Sequence, residues 1–66
     1  MEKSMMYKDG KRVYNLNKFK SFELSGENRE GEWIIFGYYD SKRNDWVRFA
    51  FSNELLYKKF IADYLK

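Results

Sequence analysis

The chain contains no cysteine, no histidine and no proline, and glycine supplies only four of its 66 residues. Without cysteine there are no disulfides, no thiolate nucleophile and no sulfur-ligated zinc; without histidine the imidazole ligands and general bases are missing too. Absence of cysteine is compatible with any redox compartment. The longest apolar run, Trp33 to Phe36, is far too short to cross a bilayer, and the stretch from Met1 to Tyr7 holds no apolar run of signal-peptide length. A cytoplasmic protein with no membrane partner is therefore expected. The lack of proline beside abundant Lys, Asn, Tyr and Phe is the composition of AT-rich coding sequence, such as that of a low-GC bacterium or one of its phages.

What is present has to compensate. A single domain over residues 1–66 is close to the size at which one core barely suffices, and chains of this size commonly add disulfides, a metal or a partner. Aromatic residues make up 21% of the chain, each able to bury a large area, and self-association as a homodimer is a second route to stability. Thirteen Lys and Arg against ten Asp and Glu leave a charge of +3, which permits an anionic partner without requiring one.

The chain is organised around Trp33 to Phe51. Residues 33 to 39 and 46 to 51 are rich in aromatic and β-branched side chains, and the polar Asp40 to Asp45 between them suits a turn, with Asn44 able to accept a left-handed conformation. Pairing Asp40 with Asp45 across a four-residue loop sets Tyr38 opposite Val47, Phe36 opposite Phe49 and Ile34 opposite Phe51. In that register Trp33, Ile35, Gly37 and Tyr39 share the second face with Trp46, Arg48 and Ala50, far from the polar surface of a solvated antiparallel sheet.

Before this hairpin, Asp9-Gly10 is a two-residue turn signal of the type I′ kind. It pairs Lys8 with Lys11 and points Met5, Tyr7, Tyr14 and Leu16 inward. Asn17-Lys18 breaks the alternation with a bulge or bend, and a third strand follows with Phe22 and Leu24 on one side. Ser25 to Gly31 is polar, with two glycines, and reads as a mobile surface loop. After the hairpin, Ser52 is the expected helix N-cap, with Glu54 complementing the dipole. The helix runs to about Leu65, with Leu56, Tyr57, Phe60, Ile61, Tyr64 and Leu65 on one half of its wheel and Leu55 plugging the corner. The expected fold is α+β: an antiparallel sheet of four to five strands followed by one C-terminal helix packed on one face, a two-layer sandwich.

Catalytic signals are weak. Gly26 to Gly31 has the glycine spacing of a phosphate loop, but Glu32-Trp33 stands where Lys and Ser or Thr must reach phosphate and magnesium. Glu23, Glu27, Glu30 and Glu32 would have to be held close together for acid/base work or a hard metal, and nothing rigid in the sequence orients them. Asp40 to Asp45 departs from the calcium-loop pattern at Lys42. No enzyme activity, cofactor or metal is expected. The candidate site is the second hairpin face, Trp33, Tyr39, Trp46 and Arg48, with Lys42 and Arg43 beside it. Aromatic rings next to cations suit single-stranded nucleic acid, bases stacking while cations follow phosphates. Trp, Tyr and Arg equally anchor protein interfaces, and the same rings bury well in a homodimer or under the N-terminal strands. Lys8, Lys11, Arg12, Lys18 and Lys20 form a second basic cluster with Tyr14 and Phe19 interleaved.

Tyr14-Asn15-Leu16-Asn17-Lys18-Phe19-Lys20, a later strand, and a Phe-Ser-Asn step into a terminal helix resemble transcriptional coactivators of the positive-cofactor type, a family of four strands and a helix. That resemblance implies a dimer binding single-stranded DNA, with Arg12, Lys18, Lys20, Lys42 and Arg43 as phosphate contacts. Lys42-Arg43-Asn44-Asp45 stands where that family has a Pro-Gly-Lys-Lys-Gly segment. In size, composition and architecture the chain is also similar to small proline-poor, cysteine-free proteins of phages and mobile elements, which implies a non-enzymatic inhibitor binding a host macromolecule.

Overall fold

A computed structural model describes residues 5–65, so the first residues of the stretch read above for a leader fall outside that range. Five antiparallel strands precede one C-terminal helix, as expected, but they divide into a two-stranded and a three-stranded sheet.

Strands β1 (Met6–Asp9) and β2 (Arg12–Asn15) form the first hairpin, with Asp9 opposite Arg12 and Tyr7 opposite Tyr14. The turn is Gly10-Lys11 and not Asp9-Gly10. Gly10 alone is left-handed there, at φ 61°, as in a II′-type turn, whereas a type I′ turn needs both central residues left-handed. The displaced register replaces the opposed pair Lys8 and Lys11 by Asp9 and Arg12, exchanging repulsion for attraction. Since the displacement is even, the inward set is unaltered: Met5, Tyr7, Tyr14 and Leu16 all pack into the core. The break after β2 is a 3-10 turn at Leu16–Lys18, closed by the Asn17 N–H donating to Asn15 Oδ1 at 3.1 Å.

Strand β3 (Ser21–Glu27) runs on through residues expected to be loop. It accommodates them with a bulge between Leu24 and Gly26. The turn beyond is tied by Asn28, whose Oδ1 accepts from the N–H groups of Glu30 at 3.0 Å and Glu32 at 2.9 Å. Asn28, an Asx-turn former, is what makes the supposed mobile segment a strand end and a closed turn. The two glycines of the phosphate-loop spacing lie one in the bulge and one in this turn.

Strands β4 (Trp33–Tyr38) and β5 (Trp46–Phe51) pair in a register one residue away from the expected one: Tyr38 lies opposite Trp46, Phe36 opposite Arg48 and Ile34 opposite Ala50. The cause is Asp40. Its side chain accepts from the N–H of Asn44 at 2.9 Å, and its carbonyl accepts from Arg43 at 3.3 Å, so it belongs to the loop and does not pair with Asp45. Tyr39 takes that place, donating to the Asp45 carbonyl at 2.8 Å. Arg43, and not Asn44, adopts the left-handed conformation, at φ 61°. A one-residue slip exchanges the faces of one strand relative to the other.

Helix α1 (Glu54–Tyr64) is capped by Asn53, whose side chain accepts from the Leu56 N–H at 2.9 Å. Ser52 is not the cap; it belongs to the bend that carries the chain off β5. Leu55 points to solvent and plugs no corner, while Tyr57 and Phe60 are buried. The helix and the β1–β2 hairpin lie on the same side of the three-stranded sheet, where Tyr7 meets Phe49, Phe60 and Tyr64 edge-on with ring centres 5.7, 5.0 and 5.8 Å away. Ile35 and Phe49 are fully enclosed between these layers. The other side of the sheet has no covering element among the described residues. No helix of the described chain is long and apolar enough to cross a membrane.

Candidate interaction face

The register divides the expected site. Trp33 falls on the helix side, its ring 5.1 Å from that of Tyr57, and Tyr39 stacks on Phe19 at 4.3 Å, also in the core. Neither belongs to an open platform. Trp46 and Arg48 do stand on the open face, joined there by Ile34, Phe36, Tyr38, Ala50 and, from β3, Glu23. Lys42 and Arg43 sit exposed in the β4–β5 loop, and Arg43 reaches back over this face.

Trp46 is half exposed and meets Phe36 edge-on at 5.5 Å, an orientation that places a positive ring edge on a negative ring face. Tyr38 continues the row 6.5 Å from Phe36. The Arg43 guanidinium lies 4.9 Å from the Tyr38 ring centre and 3.8 Å from Glu23 Oε1. Its left-handed backbone costs about 1–2 kcal/mol, which the Asp40 loop bonds and these contacts offset. The Tyr38 hydroxyl donates to the same Glu23 oxygen at 2.7 Å. That bond holds the phenol proton and raises the Tyr38 pKa.

At the other end of the face Arg48 donates to Glu32 Oε1 at 3.0 Å. Asn28 Nδ2 donates to that oxygen as well, at 3.2 Å, and these hydrogen bonds, Asn28 first and Arg48 second, hold the Glu32 carboxyl below its ordinary range. Ile34, set between Gly26 and Ala50 in the sheet, is buried although it lies on this face. Both arginines of the face are thus matched by carboxylates, and the row of rings between them is bounded by an ion pair at each end.

Five residues of the face, Glu23, Glu32, Ile34, Phe36 and Tyr38, were not legible as part of it. For Glu32, Ile34, Phe36 and Tyr38, which alternate along one strand, the signal is Asp40, whose type is as suited to closing a loop through its side chain as to ending a strand, whereas Glu23 is placed by the β3–β4 pairing. Of the four loop-flanking acids, Glu23 and Glu32 are engaged with arginines at opposite ends of the face; among the described residues no group of three acids, histidines or cysteines is placed to hold a metal. On the opposite side, a cleft of ≈310 Å³ opens between Tyr7, Phe51 and the helix, with Lys59 and Asp63 on its wall. The cations Lys8, Lys11 and Arg12 belong to the hairpin on that side, away from Trp46. No family model, curated protein or solved structure matches the chain.

Proposed function

We propose that the chain is a non-enzymatic binding protein that engages a host protein through the open face of the three-stranded sheet, with Phe36, Tyr38, Trp46, Arg43 and Arg48 as its contacts. The observation that carries this reading is Trp46, an indole half exposed, fixed against Phe36 and set on a face that nothing else in the described chain covers. Trp, Tyr and Arg are the residues that most often dominate protein interfaces, and rings already locked by neighbours lose little entropy on binding. The phage-type inhibitor role fits this surface and the composition together.

Single-stranded nucleic acid is the competing partner, and the charge pattern weighs against it. A phosphate would have to displace Glu23 from Arg43 and Glu32 from Arg48. The hairpin that carries Lys8, Lys11 and Arg12 packs on the helix side of the sheet, so these cations do not extend the pair Arg43 and Arg48 on the open face. The test pairs two measurements. Immobilised protein and its Trp46→Glu variant are exposed to lysate of a low-GC bacterium, and both are titrated with a labelled single-stranded oligonucleotide at about 50 and 200 mM salt. The expected result is a polypeptide retained by the wild type and released by the variant, with no oligonucleotide binding. Oligonucleotide binding that weakens steeply with salt and is lost in the variant would overturn the protein-partner reading.

A further inference from the structure

A strand at the edge of a sheet leaves alternate N–H and C=O groups unpaired, and such edges are blunted by bulges, charges or cover. The two edges of the three-stranded sheet differ in this. β3 carries the Leu24/Gly26 bulge, with Glu23 and Glu27 along it. β5 is regular from Trp46 to Phe51, and Arg48 is its one charge. The Tyr39 to Asp45 bond fixes the alternation along it: Asp45, Val47, Phe49 and Phe51 turn their main-chain groups toward β4, and Trp46, Arg48 and Ala50 turn theirs away. Among the described residues no main chain meets those three.

We propose that β5 pairs antiparallel with β5 of a second copy of this chain, joining two three-stranded sheets edge to edge. Directly paired residues share a face, so a two-fold axis normal to the sheet allows only registers centred on one residue. Centred on Phe49, Arg48 faces Ala50 of the second copy and Trp46 faces its Ser52, and each large outer side chain meets a small one. The outward N–H and C=O of Arg48 then exchange bonds with those of Ala50 on both sides of the axis. Centring on Arg48 would oppose two guanidiniums directly, and centring on Val47 shortens the overlap. The order Trp46, Arg48, Ala50, Ser52 along the open face, two large residues and then two small, is what a self-complementary register requires; that is why the occupant is a second copy and not an unrelated strand. The paired sheets would carry both open faces on one side, leaving Trp46 accessible to a host protein.

The experiment measures mass by light scattering and amide exchange by NMR on the intact chain, at low and high protein concentration. The dimer predicts that mass doubles with concentration while the Arg48 and Ala50 amides become protected in step, the Val47 and Phe49 amides being protected throughout. Ala50→Pro removes an N–H on the outward edge only, a place where a strand tolerates proline, and is expected to give a folded monomer. Trp46→Glu is expected to remain dimeric, because main chain holds the pair, even where it abolishes host-protein binding; loss of that binding and loss of the dimer are thereby separate readouts. A monomer at every concentration would overturn the proposal, as would a dimer whose Arg48 and Ala50 amides stay fast. The wild-type exchange data decide the matter even if Ala50→Pro does not fold.

Discussion

The two faces of the three-stranded sheet are both aromatic, yet they have opposite fates. On the helix side Phe49 touches the rings of Tyr7, Tyr14, Phe19 and Phe60 and is 1% exposed. On the open side Trp46 has Phe36 as its aromatic neighbour and is 51% exposed. Hydrophobic character alone does not sort the two; what sorts them is the loop at Asp40, which decides which half of β5 turns toward the helix. Burial on one side supplies the stability of a small domain, and the rings left on the other are free to bind.

The contrast can be broken most forcefully at Phe49. Phe49→Ala is expected to cost about 3–5 kcal/mol. Against a total of roughly 0.05–0.15 kcal/mol per residue, urea titration should find the variant largely unfolded or close to it. Gly37 probes the same side by overfilling. A Cβ there would stand 2.8 Å from two ring carbons of Phe19 and 3.1 Å from Phe22, so Gly37→Ala must push Phe19 off Tyr39. A loss of about 1–3 kcal/mol in the same titration is expected. Trp46→Ala, by comparison, removes one edge-to-face pair and the buried half of one indole, and is expected to cost less than Phe49→Ala, about 1–2 kcal/mol. A cost rivalling that of Phe49→Ala would mean that the open face is a second core.

The smallest effect is electrostatic. Glu32 is held below its ordinary value of 4.5 in the folded state, so it contributes stability above that pH and loses the contribution as pH falls through its lowered folded value. Glu32→Gln should therefore be less stable than the wild type at neutral pH, and the gap should close in acid. A gap independent of pH would mean that the loss does not come from the carboxylate's charge.

Much of this fold was legible beforehand, and the reasons are local. The first hairpin, though not the position of its turn, the inward set Met5, Tyr7, Tyr14 and Leu16, the strand after Asn17-Lys18 and the helix with Tyr57 and Phe60 inward all follow from patterns that a small register error leaves intact. The β4–β5 face assignment does not. Both faces of that hairpin are apolar, so alternation gives no preference between registers one residue apart, and the choice passes to a side-chain hydrogen bond from Asp40. The same error carried Trp33 and Tyr39 into the expected site and left Ile34, Phe36 and Tyr38 out. The cap moved from Ser52 to Asn53 because two adjacent residues are both good caps and only the packing of Tyr57 and Phe60 on the sheet sets the helix phase.

The opposition of the two tryptophans is the most direct test of the account. Single-tryptophan variants Trp33→Phe and Trp46→Phe would be compared by acrylamide quenching of the remaining indole. Efficient quenching of Trp46 and shielding of Trp33, which is partly buried against Tyr57, are expected. Equal accessibility of the two, as in the register that places them on one face, would contradict it.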